Sequence, residues 1–231
     1  MPCIPRVVIP GIPHHIVQRG NRRQRVFFCD EDRAHYLKLL KKYGEELGLS
    51  FWAYCLMPNH VHLVGIPKTE KSLSEFMAVV HRRYALRINL REEWRGCLWQ
   101  GRFYSCPLDN PHTLASARYI ERNPVRAGLV EHPEQFPWSS ARAHAGNTED
   151  GIIEKSPLTE EVRDWVSFIN HVDHEETIMR LKRSLATGRP IGDEAFIKRL
   201  ENMTGRQLTK RKPGRKASGD SPGGIQVPLP N

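Results

Sequence analysis

Apolar and polar residues alternate along three segments of the N-terminal half in the manner of β-strands. The segments are HHIVQR (14–19), SFWAYCLM (50–57) and HVHLVGI (60–66). Side chains alternate between the two faces of a strand, so a period of two predicts three strands. The Pro58-Asn59 dipeptide is typical of a turn and ends the second strand.

A spacing of three and four residues between apolar positions predicts helices over residues 30–47, 72–93 and 110–123. The first begins with acidic residues and stops before Gly48, and the third carries Pro111 near its N-terminus. The third helix should end or kink at Asn123, because the proline that follows disfavours helical geometry there.

Residues 97–108 predict a fourth strand or hairpin between the second and third helices. The elements then follow the order strand, helix, strand, strand, helix, strand, helix. This order favours an α+β domain in which helices pack on one face of a mainly antiparallel sheet.

The C-terminal part of the chain differs from the rest in charge and composition. Residues 148–181 hold nine acidic and three basic residues, whereas the whole chain has a net charge of +9. We therefore predict one domain over 1–147, an acidic linker and small helical appendage over 148–204, and a basic tail over 205–231. The proline, glycine and serine content of the tail predicts disorder.

The net charge of +9 and a pI near 9.5 predict an anionic partner, with nucleic acid as the first candidate. Five cysteines in an odd, scattered pattern argue against a disulfide framework or zinc ribbon and favour a reducing cytoplasm. The apolar runs are too short to span a membrane, and the N-terminus lacks the layout of a signal peptide. The sequence thus predicts a cytoplasmic protein without a membrane partner.

The third predicted strand carries two histidines separated by one valine, His60 and His62. Residues i and i+2 of a strand point the same way, so the two imidazoles should lie side by side. A metal ion could take a lone pair from each, because neutral histidine is a common metal ligand. The alternative is two histidines of a half-buried strand, each bonded to the backbone or to water, and the short pattern alone leaves both possibilities open.

Six tyrosines are present, and spacing alone does not choose a nucleophile among them. Tyr119 is distinguished by Asn123, which lies four residues later on the same helical face. The alternative is that Tyr119 packs at the edge of the core with its hydroxyl in water.

Several polar and basic residues are candidates for DNA contact. They are Arg19, Asn21, Arg22 and Arg23 in the turn after the first strand, Arg83 and Arg87 in the second helix, and Arg102 in the fourth strand. Arginine contacts both phosphates and base edges, although each group could also be a solvated surface. Tyr84 lies between the two helical arginines and could either stack on a base or belong to the core.

Four blocks of the sequence together resemble one known family. They are HIVQRGNRRQRVFF (15–28), YCLMPNHVHLV (54–64), LWQGRFYS (98–105) and ARYIERNPVRAGLV (117–130). In this order they resemble the single-tyrosine transposases, and most closely the REP-associated tyrosine transposases, over about residues 5–145. The resemblance implies a ferredoxin-like antiparallel sheet with helices packed on it, and a catalytic domain over 1–147.

The resemblance also implies roles for the candidate residues. Tyr119 would attack a phosphodiester of single-stranded DNA near hairpin repeats and form a 5′-phosphotyrosine. His60, His62 and Asn123 would hold a divalent ion, Mg²⁺ or Mn²⁺, where the family often has glutamine in place of Asn123. The N-terminal basic turn would hold a recognition sequence beside the hairpin, and the protein would act as a monomer or homodimer.

Other functions remain as alternatives. The chain could be a domesticated sequence-specific DNA-binding protein with little or no cleavage, a rolling-circle initiator or relaxase-like nuclease, or an RNA-binding protein. The intact set of His60, His62, Tyr119 and Asn123 favours the enzyme, since a pure binding protein would not need all four. The small domain, with its tyrosine after the histidine strand and no helicase region, argues against the rolling-circle initiator.

Overall fold

The computed structural model describes residues 6–146, 149–154 and 156–209. The strands are β1 (His14–Arg19), β2 (Leu49–Met57), β3 (His60–Pro67) and β4 (Tyr104–Pro107). The helices up to residue 146 are α1 (Asp30–Leu47), α2 (Ser72–Arg91), α3 (Asn110–Glu121), α4 (Asn123–Arg126) and α5 (Ala141–His144). Those beyond it are α6 (Pro157–Glu161), α7 (Trp165–Asn170), α8 (Glu175–Thr187) and α9 (Glu194–Thr204). Short 3₁₀ turns occupy Asn21–Arg23 and Pro133–Gln135.

The four strands form one antiparallel sheet in the order β2-β3-β1-β4. With α1 between β1 and β2 and α2 between β3 and β4, this is the predicted ferredoxin-like fold, which is confirmed. β1 and β3 are the two central strands, and their register places Val17 opposite His62 and Arg19 opposite His60. The histidine strand is therefore flanked along its length by the first strand and its basic turn.

The sheet is covered on both faces rather than on one. Side chains that alternate along the strands belong to two separate apolar clusters. Ile16 and Leu63 pack with residues of α1 and α2, whereas Cys55 and Val64 pack with residues of α3, α7 and α8. The expectation of helices on a single face was wrong, because β2 and β3 are buried on both sides along most of their length.

The predicted strand over 97–108 is confined to β4. Gly96 and Gly101 have φ angles of +101° and +51°, which bend the chain on either side of Trp99. The segment between them runs beside the basic turn, where the Gln100 amide donates to the Arg19 carbonyl at 2.8 Å and Trp99 forms an isolated bridge with Gly20. The segment thus supports the turn instead of lengthening the sheet.

The third helix ends two residues before the predicted limit. Asp109 caps its start by accepting a hydrogen bond from the His112 amide at 2.9 Å. Glu121 is its last residue, and α4 begins at Asn123. The Asn123 side-chain amide still donates to the Tyr119 carbonyl at 3.2 Å, so the predicted one-turn relation between these residues persists across the junction.

Beyond residue 146, the chain packs against the same sheet. Trp165, Ile169 and Leu181 are buried in the cluster that contains α3. Leu208, in the predicted tail, is buried in a third cluster with Val7, whereas residues 210–231, on which most of the disorder prediction falls, lie outside the described residues. The division of the chain at residues 147 and 204 stays a prediction. Within the described residues, no helix combines the length and the apolar character needed to cross a membrane.

Tyr84 is a core residue, so the suggestion that it stacks on a base was wrong. It has no exposed surface, its hydroxyl donates to the Val26 carbonyl at 2.6 Å, and its ring lies 5.4 Å from that of Phe27.

We expect Tyr84→Ala to lower the free energy of unfolding by about 3–5 kcal/mol, as for other large buried aromatics. Tyr84→Phe, which loses one hydrogen bond, should lower it by about 1 kcal/mol. Urea unfolding measures both. Tyr104→Ala is the control, because the Tyr104 side chain is 46% exposed. An equally small effect of both alanine variants would contradict the burial of Tyr84.

Candidate active site

Three histidines gather on the face of the sheet that α3 covers. His60 and His62 project from the same side of β3, with ring centres 4.9 Å apart. His15 comes from the neighbouring strand β1, and its Nε2 lies 2.9 Å from Nδ1 of His62. The predicted pair is therefore part of a row of three imidazoles, of which His15 and His62 are buried and His60 is half-buried.

Tyr119 lies against this row. Helix α3 places the centre of its ring 5.8 Å from that of His62 and 6.0 Å from that of His15, and the residue is only 6% exposed. Among the ring contacts of the described residues, no other tyrosine touches any of these three histidines. The helical tyrosine and the strand histidines, which are distant in sequence, are thus in one site.

Asn123 and Arg126 complete the surroundings of Tyr119. The amide nitrogen of Asn123 donates to the Tyr119 carbonyl, which leaves the amide oxygen as the atom that could meet a metal. The guanidinium carbon of Arg126 lies 4.5 Å from the centre of the Tyr119 ring. A fixed positive charge beside the site favours the binding of an anionic phosphate nearby.

The three imidazoles are electrically neutral near pH 7. Burial lowers the pKa of His60 to about 4, with the positive charge of Arg19 as a further cause, and burial lowers the pKa of His15 to about 3. Burial also holds the pKa of His62 well below its usual range, with smaller effects from the neighbouring histidines and from Arg19 and Arg126. A neutral imidazole keeps one nitrogen lone pair, which is the form that binds metal.

The candidate donors are of types that divalent ions bind. In the part of the chain that the structure describes, no three His, Cys, Asp or Glu side chains are grouped so that they could hold a metal ion. A site here therefore depends on the two imidazoles of His60 and His62 together with the amide oxygen of Asn123. Imidazole nitrogen favours Mn²⁺ over Mg²⁺ by affinity, whereas the oxygen donor suits both.

The basic turn after β1 lies at the His60 end of the site. Arg22 and Arg23 are exposed and have φ angles of +50° and +61°, a conformation that costs a non-glycine residue on the order of 1–3 kcal/mol. Two hydrogen bonds hold the turn. The backbone amide of Asn21 donates to the Leu98 carbonyl at 2.8 Å, and the side-chain amide of Asn59 donates to the Arg23 carbonyl at 3.1 Å. The strained turn is thus tied through Asn59 to the strand that carries the histidines, and its two arginines are exposed.

The other predicted DNA contacts lie elsewhere. Arg83 and Arg87 belong to α2, which packs on the opposite face of the sheet, and the Arg83 guanidinium sits 5.3 Å from the centre of the Tyr43 ring. Arg102 lines a cavity of about 220 Å³ at the β4 edge, together with Tyr104 and residues near the end of α8. The structure therefore brings the turn residues to the site and separates the α2 pair from it.

Residues 165–173, in the acidic segment, form hydrogen bonds with residues before and after Tyr119. The contacts are Arg118 Nε to Asp173 Oδ1 at 2.6 Å, Trp165 Nε1 to Glu121 Oε2 at 2.7 Å, and Arg122 Nη1 to the carbonyls of Ile169 and Asn170 at 2.9 and 2.8 Å. Glu121 is fully buried and also accepts hydrogen bonds from Ser140 and His144. These bonds fix the orientation of the helix that carries the tyrosine.

Three residues of the site were missed by the sequence interpretation: His15, Asn59 and Arg126. His15 alternates onto the same face as Val17, but its proximity to His62 depends on the register between β1 and β3, which no local pattern reveals. Asn59 directly precedes His60 and could have been suspected as its hydrogen-bond partner. Arg126 stands one turn after Arg122 in α4 and has no distinguishing local signal.

Comparisons with known proteins identify a family and several similar proteins. The model of the family described as "Transposase IS200 like" matches residues 9–123, a span that contains all three histidines, Tyr119 and Asn123. A curated Haemophilus influenzae protein named "Putative REP-associated tyrosine transposase" is 24% identical over 136 residues, which cover 54% of this chain and 75% of that protein. A solved structure of a REP-associated tyrosine transposase bound to a REP hairpin is similar at a TM-score of 0.54 and 19% identity, over 67% of this chain and 93% of that chain. This last similarity shows the fold.

Proposed function

Because residues 9–123 belong to the family of IS200-like transposases, we propose that this chain cleaves and rejoins single-stranded DNA near hairpin repeats through a 5′-phosphotyrosine at Tyr119. The observation that carries the proposal is the Tyr119 ring 5.8 Å from that of His62, next to the His60–His62 pair. The family supports a DNA strand-transfer enzyme. The hairpin substrate is proposed because a relative of the same fold is bound to a REP hairpin.

The chemistry is an exchange of phosphodiester bonds. The Tyr119 oxygen attacks the phosphorus, the bond from phosphorus to the 3′ oxygen breaks, and that oxygen leaves as a free 3′-hydroxyl. The tyrosine gives up its proton to solvent and the leaving 3′ oxygen takes one up, so the exchange needs no other reactant. A 3′-hydroxyl can later attack the phosphotyrosine and release Tyr119, so strands are joined without an external energy source.

The remaining residues bind and orient. A divalent ion, Mg²⁺ or Mn²⁺, held by His60, His62 and Asn123 would polarise the oxygens of the scissile phosphate. The histidines stay uncharged through burial, so they do not compete with the ion for the phosphate. The bonds from α3 to residues 165–173 hold Tyr119 at the site, and its low exposure limits the access of competing water.

The experiment that tests this function is covalent capture of DNA. The full chain is incubated with hairpin-containing single-stranded DNA from the region around its own coding sequence, labelled at the 5′ or the 3′ end, in Mn²⁺ or Mg²⁺. Formation of 5′-phosphotyrosine predicts a denaturation-resistant adduct that carries the 3′ label, and release of the 5′-labelled fragment. Tight binding without an adduct in either metal would favour the DNA-binding protein with little or no cleavage.

The basic turn should supply phosphate contacts. We expect the double variant Arg22→Asn, Arg23→Asn to flatten the dependence of log K on log salt concentration by about 1.4, since each phosphate contact to a single strand contributes about 0.7. Asparagine is chosen because it tolerates positive φ. Fluorescence anisotropy over a series of NaCl concentrations measures the slope.

The matched control is Arg83→Asn, Arg87→Asn, which removes the same charge from the opposite face of the sheet. We expect its slope to stay close to that of the wild type. If the slope falls more in this control than in the turn variant, the DNA lies on α2, and the assignment of the turn is contradicted.

A further inference from the structure

We propose that Asn59 and His15 are positioning residues for two metal-ligand candidates: Asn59 fixes the tautomer of His60, and His15 offers His62 a hydrogen-bond acceptor, so that the Nε2 atom of each can keep the lone pair a divalent ion takes. This inference rests on the proposed function, because it concerns the same metal ligands. It adds two residues from outside that ligand set, and it connects one ligand to the basic turn.

The orientation of the Asn59 amide follows from its two contacts. Its Nδ2 atom donates to the Arg23 carbonyl at 3.1 Å, and a carbonyl can only accept. The opposite atom of the amide, Oδ1, therefore is the one that lies 2.6 Å from Nδ1 of His60. An amide oxygen also only accepts, so Nδ1 of His60 must carry the proton. In a neutral ring, the proton on Nδ1 leaves the lone pair on Nε2.

His15 offers His62 a hydrogen-bond partner that can act as the acceptor. Its Nε2 atom lies 2.9 Å from Nδ1 of His62, and between two neutral imidazoles one nitrogen donates and the other accepts. If His62 donates from Nδ1, its Nε2 is free for a metal ion. If His15 donates instead, the proton of His62 lies on Nε2 and blocks the site.

The second nitrogen of His15 has no protein partner, in the described part of the chain, that would select one of the two arrangements. Nδ1 of His15 is buried, and within the described residues it has no hydrogen-bond partner. No neighbouring group therefore dictates the tautomer of His15, which can adapt to the needs of His62. With its proton on Nδ1, the His15 ring can accept the hydrogen bond of His62 at Nε2.

Asn59 also joins the metal site to the strained turn. Its side chain holds the Arg23 carbonyl, and its backbone carbonyl accepts the Gly20 amide at 2.8 Å. A Cβ atom on Gly20 would lie 2.4 Å from the Gln24 carbonyl oxygen, so the backbone of the turn packs too closely at this position for any other residue. One amide thus orients His60 with its oxygen and supports the arginine turn with its nitrogen.

The two roles of Asn59 can be separated by substitution. Asn59→Asp keeps an acceptor for His60 Nδ1 but has no proton to donate to the Arg23 carbonyl. It should retain Mn²⁺ binding and weaken binding of single-stranded DNA in metal-free buffer. Asn59→Ala removes both contacts and should weaken both. His15→Phe removes the acceptor for His62 and should weaken Mn²⁺ binding alone.

The test combines two measurements on the full chain. Long-range proton–nitrogen NMR of histidine labelled in the imidazole ring reads the tautomers of His60 and His62 in the metal-free protein. Electron paramagnetic resonance then measures Mn²⁺ affinity without DNA. We expect wild-type His60 to be protonated at Nδ1, and Mn²⁺ affinity to fall about 10–100-fold in Asn59→Ala and His15→Phe, as for other residues that support metal ligands. Asn89→Ala is the matched control, because the Asn89 side-chain amide also donates to a backbone carbonyl, that of Gly96 in the segment after α2.

Two results would overturn the inference: a wild-type His60 protonated at Nε2, or Mn²⁺ affinities of Asn59→Ala and His15→Phe equal to those of wild type and Asn89→Ala. Failure of the proposed function has a different signature, namely a wild-type protein that forms no covalent adduct with DNA. Because the tautomers are read without metal or DNA, the assignment of Asn59 and His15 is tested in either case.

Discussion

Tyr119→Phe will abolish the covalent protein–DNA adduct and leave DNA binding unchanged. The substitution removes a single oxygen, the atom proposed to attack the phosphate, and keeps the ring that packs against His62 and Arg126. The loss should be complete, since no product of this kind can form without the nucleophile. A denaturing gel with end-labelled DNA measures the adduct, and anisotropy measures the binding.

Tyr104→Phe is the matched control for this prediction. Tyr104 lies on β4, one strand beyond the central pair of β1 and β3, and is 46% exposed. It should form the adduct at the wild-type rate. Persistence of the adduct in Tyr119→Phe, or its disappearance in Tyr104→Phe, would assign the nucleophile to another residue.

His62→Ala should slow adduct formation about 1,000-fold and weaken Mn²⁺ binding. A bound ion contributes several kcal/mol to stabilising the charge that develops on the phosphate, and each 1.36 kcal/mol corresponds to a factor of about ten in rate. Removal of the ion with a chelator should have the same effect on the wild type and be reversed by added Mn²⁺. Single-turnover rates from quenched reactions measure both.

His174→Ala is the control for the histidine substitution, because His174 is exposed and its side chain makes no capping bond at the start of α8. The chelator experiment guards against a folding defect, since His62 is buried and alanine leaves space around it. Wild-type rates that do not change with chelator would show that the histidines serve a purpose other than metal binding.

Local periodicity was sufficient for most of the fold. The predicted bounds of β1 and α1 agree with the structure, because strand alternation at 14–19 and the Gly48 stop at the end of the helix are local signals. The shared face of His60 and His62 follows directly from the geometry of a strand. The fourth strand was overestimated, since the chain bends at Gly96 and Gly101, and residues 98–100 pair with the distant basic turn instead of the sheet.

Which residues form the site was harder to predict from the sequence than the fold, because the site depends on contacts between distant segments. Sequence placed Tyr119 on a helix with Asn123, but only the packing of α3 on the second face of the sheet brings the tyrosine to His62. The same two-faced arrangement separates Arg83 from the site, a distinction that the spacing of charges along α2 cannot contain. His15 enters the site through the register of β1 on β3, which is set by the whole sheet.

The most direct test of the central claim is to map the attachment point of DNA by mass spectrometry. Nuclease treatment of the adduct leaves a short nucleotide remnant, and trypsin cleaves after Arg118 and Arg122. We expect the remnant on the peptide 119–122, bound to Tyr119 through a 5′ phosphate. A remnant on a peptide that contains a different tyrosine, or its absence from every peptide of a DNA-treated sample, would contradict the assignment of Tyr119 as the nucleophile.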